Sequence, residues 1–253
     1  MTRETNLKPA LLPTIVAGVL AAFVSIPCEA QARTRVVLLG DSITARQMSG
    51  PPGPPYSEVL AELLGDGYEV VNIGCPGSTS LDWTISHGST LCNGFVTPNL
   101  FEGRAVPNLP ADVVTIMLGT NDATGFFEPR PIPPRVYGQS LAEIVNNLLA
   151  DGAGTVVVMT PPPRCSSTDR GTRSRLLAYR KIILDHCGDY PGAACGPDVF
   201  TLLDPVTSFD NCDVHPNAEG HAALAAALAE VVLAVAPPAA DNESYRSQEL
   251  RQQ

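Results

Sequence analysis

The sequence predicts a three-layer α/β domain, in which helices cover both faces of a parallel β-sheet. Three observations support this class. Five short aliphatic runs alternate with amphipathic, helix-like stretches, three of the runs are continuously apolar, and 44% of the 253 residues are hydrophobic. Continuous apolar runs are typical of parallel strands covered on both faces, and alternation with helices is typical of α/β domains. A chain of this length can bury one sizeable core.

The predicted strands alternate with helices, except between the second and third strands, where no helix is predicted. The predicted strands cover residues 35–40, 68–74, 112–118, 155–160 and 198–203. The predicted helices cover residues 56–67, 136–152, 172–187 and 217–235, and the last is rich in alanine, which favours helix. We expect a long irregular loop over residues 78–110. In open parallel sheets, sites form outside the carboxyl ends of the strands, so the residues just past each strand are the candidates for chemistry.

The N-terminus has the pattern of a secretory signal peptide. Arg3 and Lys8 precede an uncharged, mostly apolar stretch over residues 10–26, and Ala30-Gln31-Ala32 offers a cleavage site. We predict a signal peptide over residues 1–32, a single folded domain over 33–236 and a disordered polar tail over 237–253. The protein would then be secreted or periplasmic. The alternative is a retained membrane anchor, although Pro13 interrupts an apolar run that is short for a span.

Charge and cysteine content narrow the partners and the compartment. The net charge of −10 disfavours nucleic acid and anionic membranes as partners, and we expect a monomer without stable membrane insertion after signal cleavage. Six cysteines follow the predicted signal, an even number that suggests disulfides in an exported chain. Proximity in sequence suggests the pairs Cys75–Cys92 and Cys187–Cys195, which leaves Cys165–Cys212. No CxxC motif is present, and no metal site is expected.

Four separated segments deliver polar or glycine residues at the predicted strand ends. The first strand runs into Gly-Asp-Ser, with Ser42, and the second ends in NIGCPGSTS, which contains Gly77. The third ends in GTND, with Asn121, and DVHPN, with His215, precedes the last helix. Each also has a purely structural interpretation: Ser42 as a helix N-cap, Gly77 and Asn121 as turn residues, and His215 as a surface loop residue.

Together, the four segments resemble the SGNH hydrolase family, also called GDSL-type esterases and lipases, from Val36 to about Val235. The resemblance implies a flavodoxin-like domain with sheet order 2-1-3-4-5 and ester hydrolysis through an acyl-enzyme. It implies Ser42 as nucleophile and His215 as general base, without a cofactor. The oxyanion hole would consist of the backbone N–H groups of Ser42 and Gly77 and the side-chain amide of Asn121. Gly77 fits the family's glycine better than Gly74, which follows the strand too closely.

The third member of the catalytic triad departs from the family pattern. The family usually has an aspartate three residues before the histidine, and this chain has Cys212 there. We expect Asp213 to be the acid, with Asp210 as the second candidate. A Ser-His dyad, with a backbone carbonyl holding the imidazole, is the third possibility. We also expect the Cys165–Cys212 pair to hold this loop in place.

The predicted function is a secreted serine esterase that removes acetyl or other short acyl groups from carbohydrates or polysaccharides. A lipase, lysophospholipase or thioesterase acting on longer acyl chains is the alternative. A non-catalytic carbohydrate-binding relative and a protein that binds a nucleotide or FMN at the same sheet edge are alternatives of other classes. Trp83 could contact a sugar or acyl group, or pack beneath the long loop.

Overall fold

The computed structural model describes residues 33–45, 53–88, 90–92, 95–97, 99–125, 131–164, 170–210 and 214–238. The predicted signal peptide and most of the predicted tail lie outside these residues. The described strands are β1 (Thr34–Gly40), β2 (Tyr68–Asn72), β3 (Thr90–Cys92), β4 (Phe95–Thr97), β5 (Ala111–Met117), β6 (Ala153–Val158) and β7 (Ala193–Cys195). The described helices are α1 (Tyr56–Leu64), α2 (Thr120–Thr124), α3 (Pro134–Ala150), α4 (Arg170–His186), α5 (Val199–Leu202) and α6 (Ala218–Val235).

Five parallel strands form the central sheet in the order β2-β1-β5-β6-β7. Counted among these five strands, this order is 2-1-3-4-5, and it confirms the predicted three-layer fold. The remaining two strands, β3 and β4, form a separate antiparallel hairpin. The four predicted long helices are present as α1, α3, α4 and α6, with ends within a few residues of the predicted ones.

The two faces of the sheet carry separate hydrophobic clusters. Successive side chains of a strand point to opposite faces, and β1 shows this clearly. Val37 and Leu39 pack in one cluster with buried residues of α3 and α4. Val36 and Leu38 pack in the other with buried residues of α1 and α6. Burial on both faces explains why β1 reads as a continuous apolar run.

The predicted fifth strand, over residues 198–203, is wrong. The fifth strand is instead β7, which pairs with Val156–Val158 of β6, and Val199–Leu202 forms the short helix α5. Hydrogen bonds with Thr160 stabilise the start of α5. The Thr160 hydroxyl donates to the Asp198 carboxylate (2.9 Å) and accepts from the backbone N–H of Phe200 (3.0 Å). A short apolar run does not by itself distinguish a strand from a helical turn.

The long loop over residues 78–110 contains more regular structure than predicted. It holds a 3₁₀ turn at Leu81–Trp83, the β3–β4 hairpin, and a π turn followed by a 3₁₀ turn between Phe101 and Asn108. Trp83 is fully buried, and its indole N–H donates to the Ser78 hydroxyl (3.1 Å). Trp83 therefore packs beneath the loop, the second of its two predicted roles.

In the described part of the chain, one helix, α6, is long and apolar enough to cross a membrane by length and composition alone. Its Leu224, Leu228 and Val232 are buried in the cluster that α6 shares with α1. This burial is the arrangement of a core helix in an α/β domain.

Candidate active site

Ser42 lies in a tight turn directly after β1. The turn is helical, since the backbone N–H of Ala45 donates to the Asp41 carbonyl (2.9 Å). The carboxylate of Asp41 caps it by accepting from the N–H of Ile43 (2.9 Å). Asp41 thus fills the capping role that Ser42 could have filled, and the Ser42 hydroxyl points elsewhere.

Two glycines follow β2, beside the turn of Ser42. A Cβ atom at Gly74 would lie 2.5 Å from the backbone nitrogen of Ala45, closer than carbon and nitrogen can approach. Gly74 therefore supports the Ser42 turn through close backbone contact. Gly77 has a φ of +81°, a left-handed conformation that glycine adopts readily. The two glycines thus have different roles at this edge of the sheet.

His215 is held just ahead of α6. The Asn217 side chain caps that helix by accepting from the N–H of Gly220 (3.0 Å), and its amide donates to the Thr207 carbonyl (2.9 Å). The structure places the Nε2 atom of His215 3.0 Å from the Oγ atom of Ser42, across 173 residues of sequence. This is the distance at which an imidazole can accept the proton of a hydroxyl.

Of the candidate acids, the described residues contain Asp210 only. It is exposed, and its Oδ1 atom accepts from the Asn217 side-chain amide (3.0 Å). Asp213 lies outside the described residues, as do Cys212 and Cys165. The assignment of the acid and the Cys165–Cys212 pair therefore stay predictions.

The other two cysteine pairs are within disulfide distance. The Cα atoms of Cys75 and Cys92 are 5.6 Å apart, and those of Cys187 and Cys195 are 5.1 Å apart. The first pair lies at the candidate site, because the backbone N–H of Cys75 donates to the carbonyl of Gly40 at the end of β1 (2.9 Å). It joins the β3–β4 hairpin to the segment that contains Gly77.

Asn121 faces the segment of Gly77. It is the second residue of α2, and its side-chain amide donates to the Ser78 carbonyl (2.9 Å). A primary amide has two N–H groups, so one remains for another acceptor. The structure thus brings together the four segments that the sequence singled out.

The sequence matches the model of the GDSL-like lipase/acylhydrolase family over residues 38–223. The chain belongs to this family. As a GDSL-type hydrolase, it is an enzyme that hydrolyses esters. Comparison with curated protein sequences found no significant match.

The solved structures with a similar fold include three that are named as esterases. An aryl esterase from M. smegmatis is 22% identical, with a TM-score of 0.61, over 80% of this chain and 99% of that one. A carbohydrate acetylesterase from Sinorhizobium meliloti is 22% identical, with a TM-score of 0.59, over 80% and 100%. A catalytic mutant of an acetylxylan esterase from Geobacillus stearothermophilus is 19% identical, with a TM-score of 0.58, over 81% and 95%. At these identities the similarity shows the shared fold.

Beneath its candidate site, the GDSL-type hydrolase buries two carboxylates. Burial raises the pKa of Asp41 to about 7; the hydrogen bond from Ile43 opposes the rise, and the negative charge of Asp122 adds to it. Burial also raises the pKa of Asp122 to about 6, against the opposing hydrogen bonds from Ser80, and the charge of Asp82 adds to the rise. Both groups are costly to ionise in the folded protein.

Wild type should lose stability relative to an Asp41→Asn variant as the pH rises from about 4 to about 7. In this window, folded Asp41 holds its proton while the unfolded chain, with its ordinary pKa of 3.8, has released it, so that raising the pH favours unfolding. The asparagine cannot ionise and keeps an oxygen for the N–H of Ile43. The free energy of unfolding of wild type should fall, relative to that of the variant, by at most about 1.4 kcal/mol per pH unit.

Urea denaturation of both proteins across pH 4.5 to 8.5 measures this shift. The interval above about pH 8 is an internal control, where Asp41 is almost fully ionised in both states and the difference should be nearly constant. A difference that is equally constant below pH 7 would contradict the buried, protonated state of Asp41.

A second histidine, His221, makes a contact near the site that no pattern in the sequence indicated. The Nδ1 atom of His221 accepts from the backbone N–H of Tyr56 (3.2 Å), which ties α6 to α1. Burial, and then the charge of His215, lower the pKa of His221 to about 4, so it is neutral at neutral pH.

His87 pairs with Asp82 (3.4 Å) in the long loop. Among the described residues, no cluster of three His, Cys, Asp or Glu side chains could hold a metal ion.

Proposed function

We propose that this GDSL-type hydrolase is an exported serine esterase that removes short acyl groups, above all acetyl, from the hydroxyl groups of carbohydrates. The observation that carries the catalytic part is the 3.0 Å distance between the Oγ atom of Ser42 and the Nε2 atom of His215. A serine hydroxyl is a weak nucleophile at neutral pH and needs an adjacent base. Such a pair, at the carboxyl edge of a parallel sheet, is the arrangement for acyl transfer.

In the first half of the reaction, the Ser42 oxygen attacks the carbonyl carbon of the ester, and its proton passes to Nε2 of His215. The tetrahedral intermediate then collapses. The bond between the carbonyl carbon and the alcohol oxygen breaks, and His215 returns its proton to the departing alcohol. The product of this half is an acyl group on Ser42.

In the second half, water replaces the alcohol. His215 takes a proton from the water as its oxygen attacks the acyl carbon, and then returns that proton to the Ser42 oxygen as the acid leaves. Water is the only co-substrate, and the chemistry requires no cofactor.

Both tetrahedral intermediates carry negative charge on the former carbonyl oxygen. The proposed donors to this oxyanion are the backbone N–H groups of Ser42 and Gly77 and the remaining side-chain N–H of Asn121. The left-handed backbone of Gly77 and the contact of Asn121 with Ser78 orient two of these donors before substrate binds. Each such donor is typically worth about 10²- to 10³-fold in rate.

For the acid that orients His215, we propose Asp213, two residues before it. Asp210 is the second candidate, although its described contact is with Asn217. A dyad without an acid is the third. A buried acid beside the imidazole would hold the correct tautomer and stabilise its charged form.

The substrate class is supported by three observations. Two of the similar structures are named for acetyl esters of carbohydrates or xylan, although a third is an aryl esterase. The signal-like residues 1–32 favour secretion or a periplasmic location, where polysaccharides are encountered. The net charge of −10 disfavours adsorption to anionic membranes. We propose a monomeric domain over residues 33–236.

A series of p-nitrophenyl esters from acetate to dodecanoate tests the acyl preference. We expect kcat/KM to be highest for acetate and lower by about tenfold or more for octanoate, since each methylene that does not fit a pocket is worth about 1–3 kcal/mol. Acetylated xylo-oligosaccharides should also release acetate. A preference for octanoate or longer chains would favour a lipase or thioesterase instead. If no small ester is hydrolysed, the catalytic proposal itself fails.

A further inference from the structure

The Gly77 loop, defined here as residues 76–80, is attached to α2 by hydrogen bonds at two points. The backbone N–H of Ser80 donates to Oδ1 of Asp122 (3.0 Å), and the Ser80 hydroxyl donates to the same atom (2.5 Å). The Asn121 side chain donates to the Ser78 carbonyl (2.9 Å). Gly77 and Asn121, two of the proposed oxyanion donors, therefore sit on segments that are joined directly to each other.

Helix α2 is itself held from its other side. The Tyr137 hydroxyl donates to the carbonyl of Leu118, just before the helix (2.9 Å). The Arg175 guanidinium donates through Nε to the carbonyl of Ala123, near the end of the helix (2.6 Å). Because α3 and α4 fix α2 in this way, the contacts with Ser80 constrain the loop against a rigid partner.

Asp122 is suited to this task by its charge and burial. Its side chain is fully buried, so no solvent competes for its oxygens. A carboxylate offers only acceptors, and both donors of Ser80 reach it. Above its pKa of about 6, Asp122 is ionised, and hydrogen bonds to an ionised group are about twice as strong as neutral ones. Two nearby carboxylates are engaged elsewhere: Asp41 accepts from the N–H of Ile43, and Asp82 accepts from the N–H and the hydroxyl of Thr79.

We propose that Asp122 is a positioning residue, which holds the Gly77 loop against α2 and thereby sets the spacing between the Gly77 N–H and the Asn121 amide. The inference depends on the proposed function insofar as these two groups stabilise the oxyanion. Misplacement by about 1 Å can cost on the order of 100-fold in rate. Because the oxyanion exists only after attack, the loss should appear in kcat and spare KM.

An Asp122→Asn variant tests this role against a matched Asp198→Asn variant. Asp198 is a partly buried carboxylate that accepts from Arg180 (2.6 Å) and Thr160 (2.9 Å), outside the proposed machinery. We expect Asp122→Asn to lower kcat on p-nitrophenyl acetate by about 10- to 100-fold, with KM changed by less than about threefold. Asp198→Asn should keep kcat even where it lowers the midpoint of thermal unfolding.

Ser80→Ala is a milder second variant, which removes only the hydroxyl and tests the proposal even if Asp122→Asn folds poorly. By itself it should lower kcat, by less than Asp122→Asn does, and an unchanged kcat in Ser80→Ala alone would also overturn the proposal. In the double variant, the two effects should fall short of their sum in free energy, because both changes break the same contact. Additive losses would show that Asp122 acts in another way and would overturn the proposal.

Hydrogen exchange gives a readout that does not depend on ester hydrolysis. Peptides that cover residues 76–80 should exchange faster in Asp122→Asn than in wild type, and at the wild-type rate in Asp198→Asn. Unchanged exchange of this loop in Asp122→Asn, or an equal fall of kcat in both variants, would overturn the inference. An absence of esterase activity in wild type would instead defeat the proposed function, while the exchange experiment would still decide whether Asp122 holds the loop.

Discussion

Replacing Ser42 with alanine is expected to lower kcat by about 10⁵- to 10⁶-fold, the loss typical of removing a catalytic serine. The variant lacks the oxygen that would form the acyl-enzyme, and His215 Nε2 lies 3.0 Å from that oxygen in the wild type. Steady-state hydrolysis of p-nitrophenyl acetate measures the loss. Intact-mass analysis after a fluorophosphonate reaction should show one adduct in wild type and none in the variant.

Ser140→Ala is the matched control for this substitution. Ser140 is a buried serine, and its hydroxyl donates within α3, to the carbonyl of Val136 (3.1 Å), away from the candidate site. We expect full activity and labelling in this variant. Residual activity above about 1% in Ser42→Ala would mean that another residue is the nucleophile, since triad serines are worth far more than 100-fold.

The second large effect is expected for His215→Asn, with a fall in kcat of about 10⁴- to 10⁶-fold. Asparagine can hydrogen-bond to the Ser42 hydroxyl but cannot accept its proton. Fluorophosphonate labelling of Ser42 should slow in parallel, because the same proton transfer activates the serine in both reactions. Stopped-flow or long-time-course assays on p-nitrophenyl acetate would measure the remaining rate.

His186→Asn provides the control for a histidine change. His186 lies exposed at the end of α4 and pairs with Asp189 (2.7 Å), so its replacement should leave kcat unchanged.

Comparison of Asp213→Asn and Asp210→Asn in the same assay then locates the acid that supports His215. The larger loss identifies the acid, and two small losses would favour the dyad. Normal activity in His215→Asn would contradict the assignment of the base.

Much of the fold could be predicted because buried strands and helices have characteristic patterns of apolar residues within short segments of sequence. Strands covered on both faces, such as β1 and β5, appear as continuous apolar runs, and α3 and α6 show helical spacing of their buried residues. The prediction of the fifth strand was wrong because it relied on this same apolar signal. β7 has only three residues, Ala193–Cys195, and carries too little apolar signal, whereas the stronger run at 199–202 forms a helical turn.

The candidate site was likewise only partly predictable from the sequence. The rule that sites lie at strand ends singled out the four segments, and the resemblance to the SGNH family selected Ser42, Gly77, Asn121 and His215 within them. Neither composition nor spacing indicated that Ser80 contacts Asp122, 42 residues away, or that His221 accepts from Tyr56, 165 residues away. Such contacts depend on how α1, α2 and α6 pack around the sheet.

The sequence by itself determined the layer class, the long helices and the kinds of chemical group available at the sheet edge, because periodicity and residue identity belong to short segments. Only the tertiary structure decided where the last strand lies, that Trp83 is a core residue, and that Asp41 caps the turn of the serine. It also brought a hydroxyl and an imidazole from distant parts of the chain to hydrogen-bond distance. Those outcomes follow from packing between distant segments, where small differences in position decide which donor meets which acceptor.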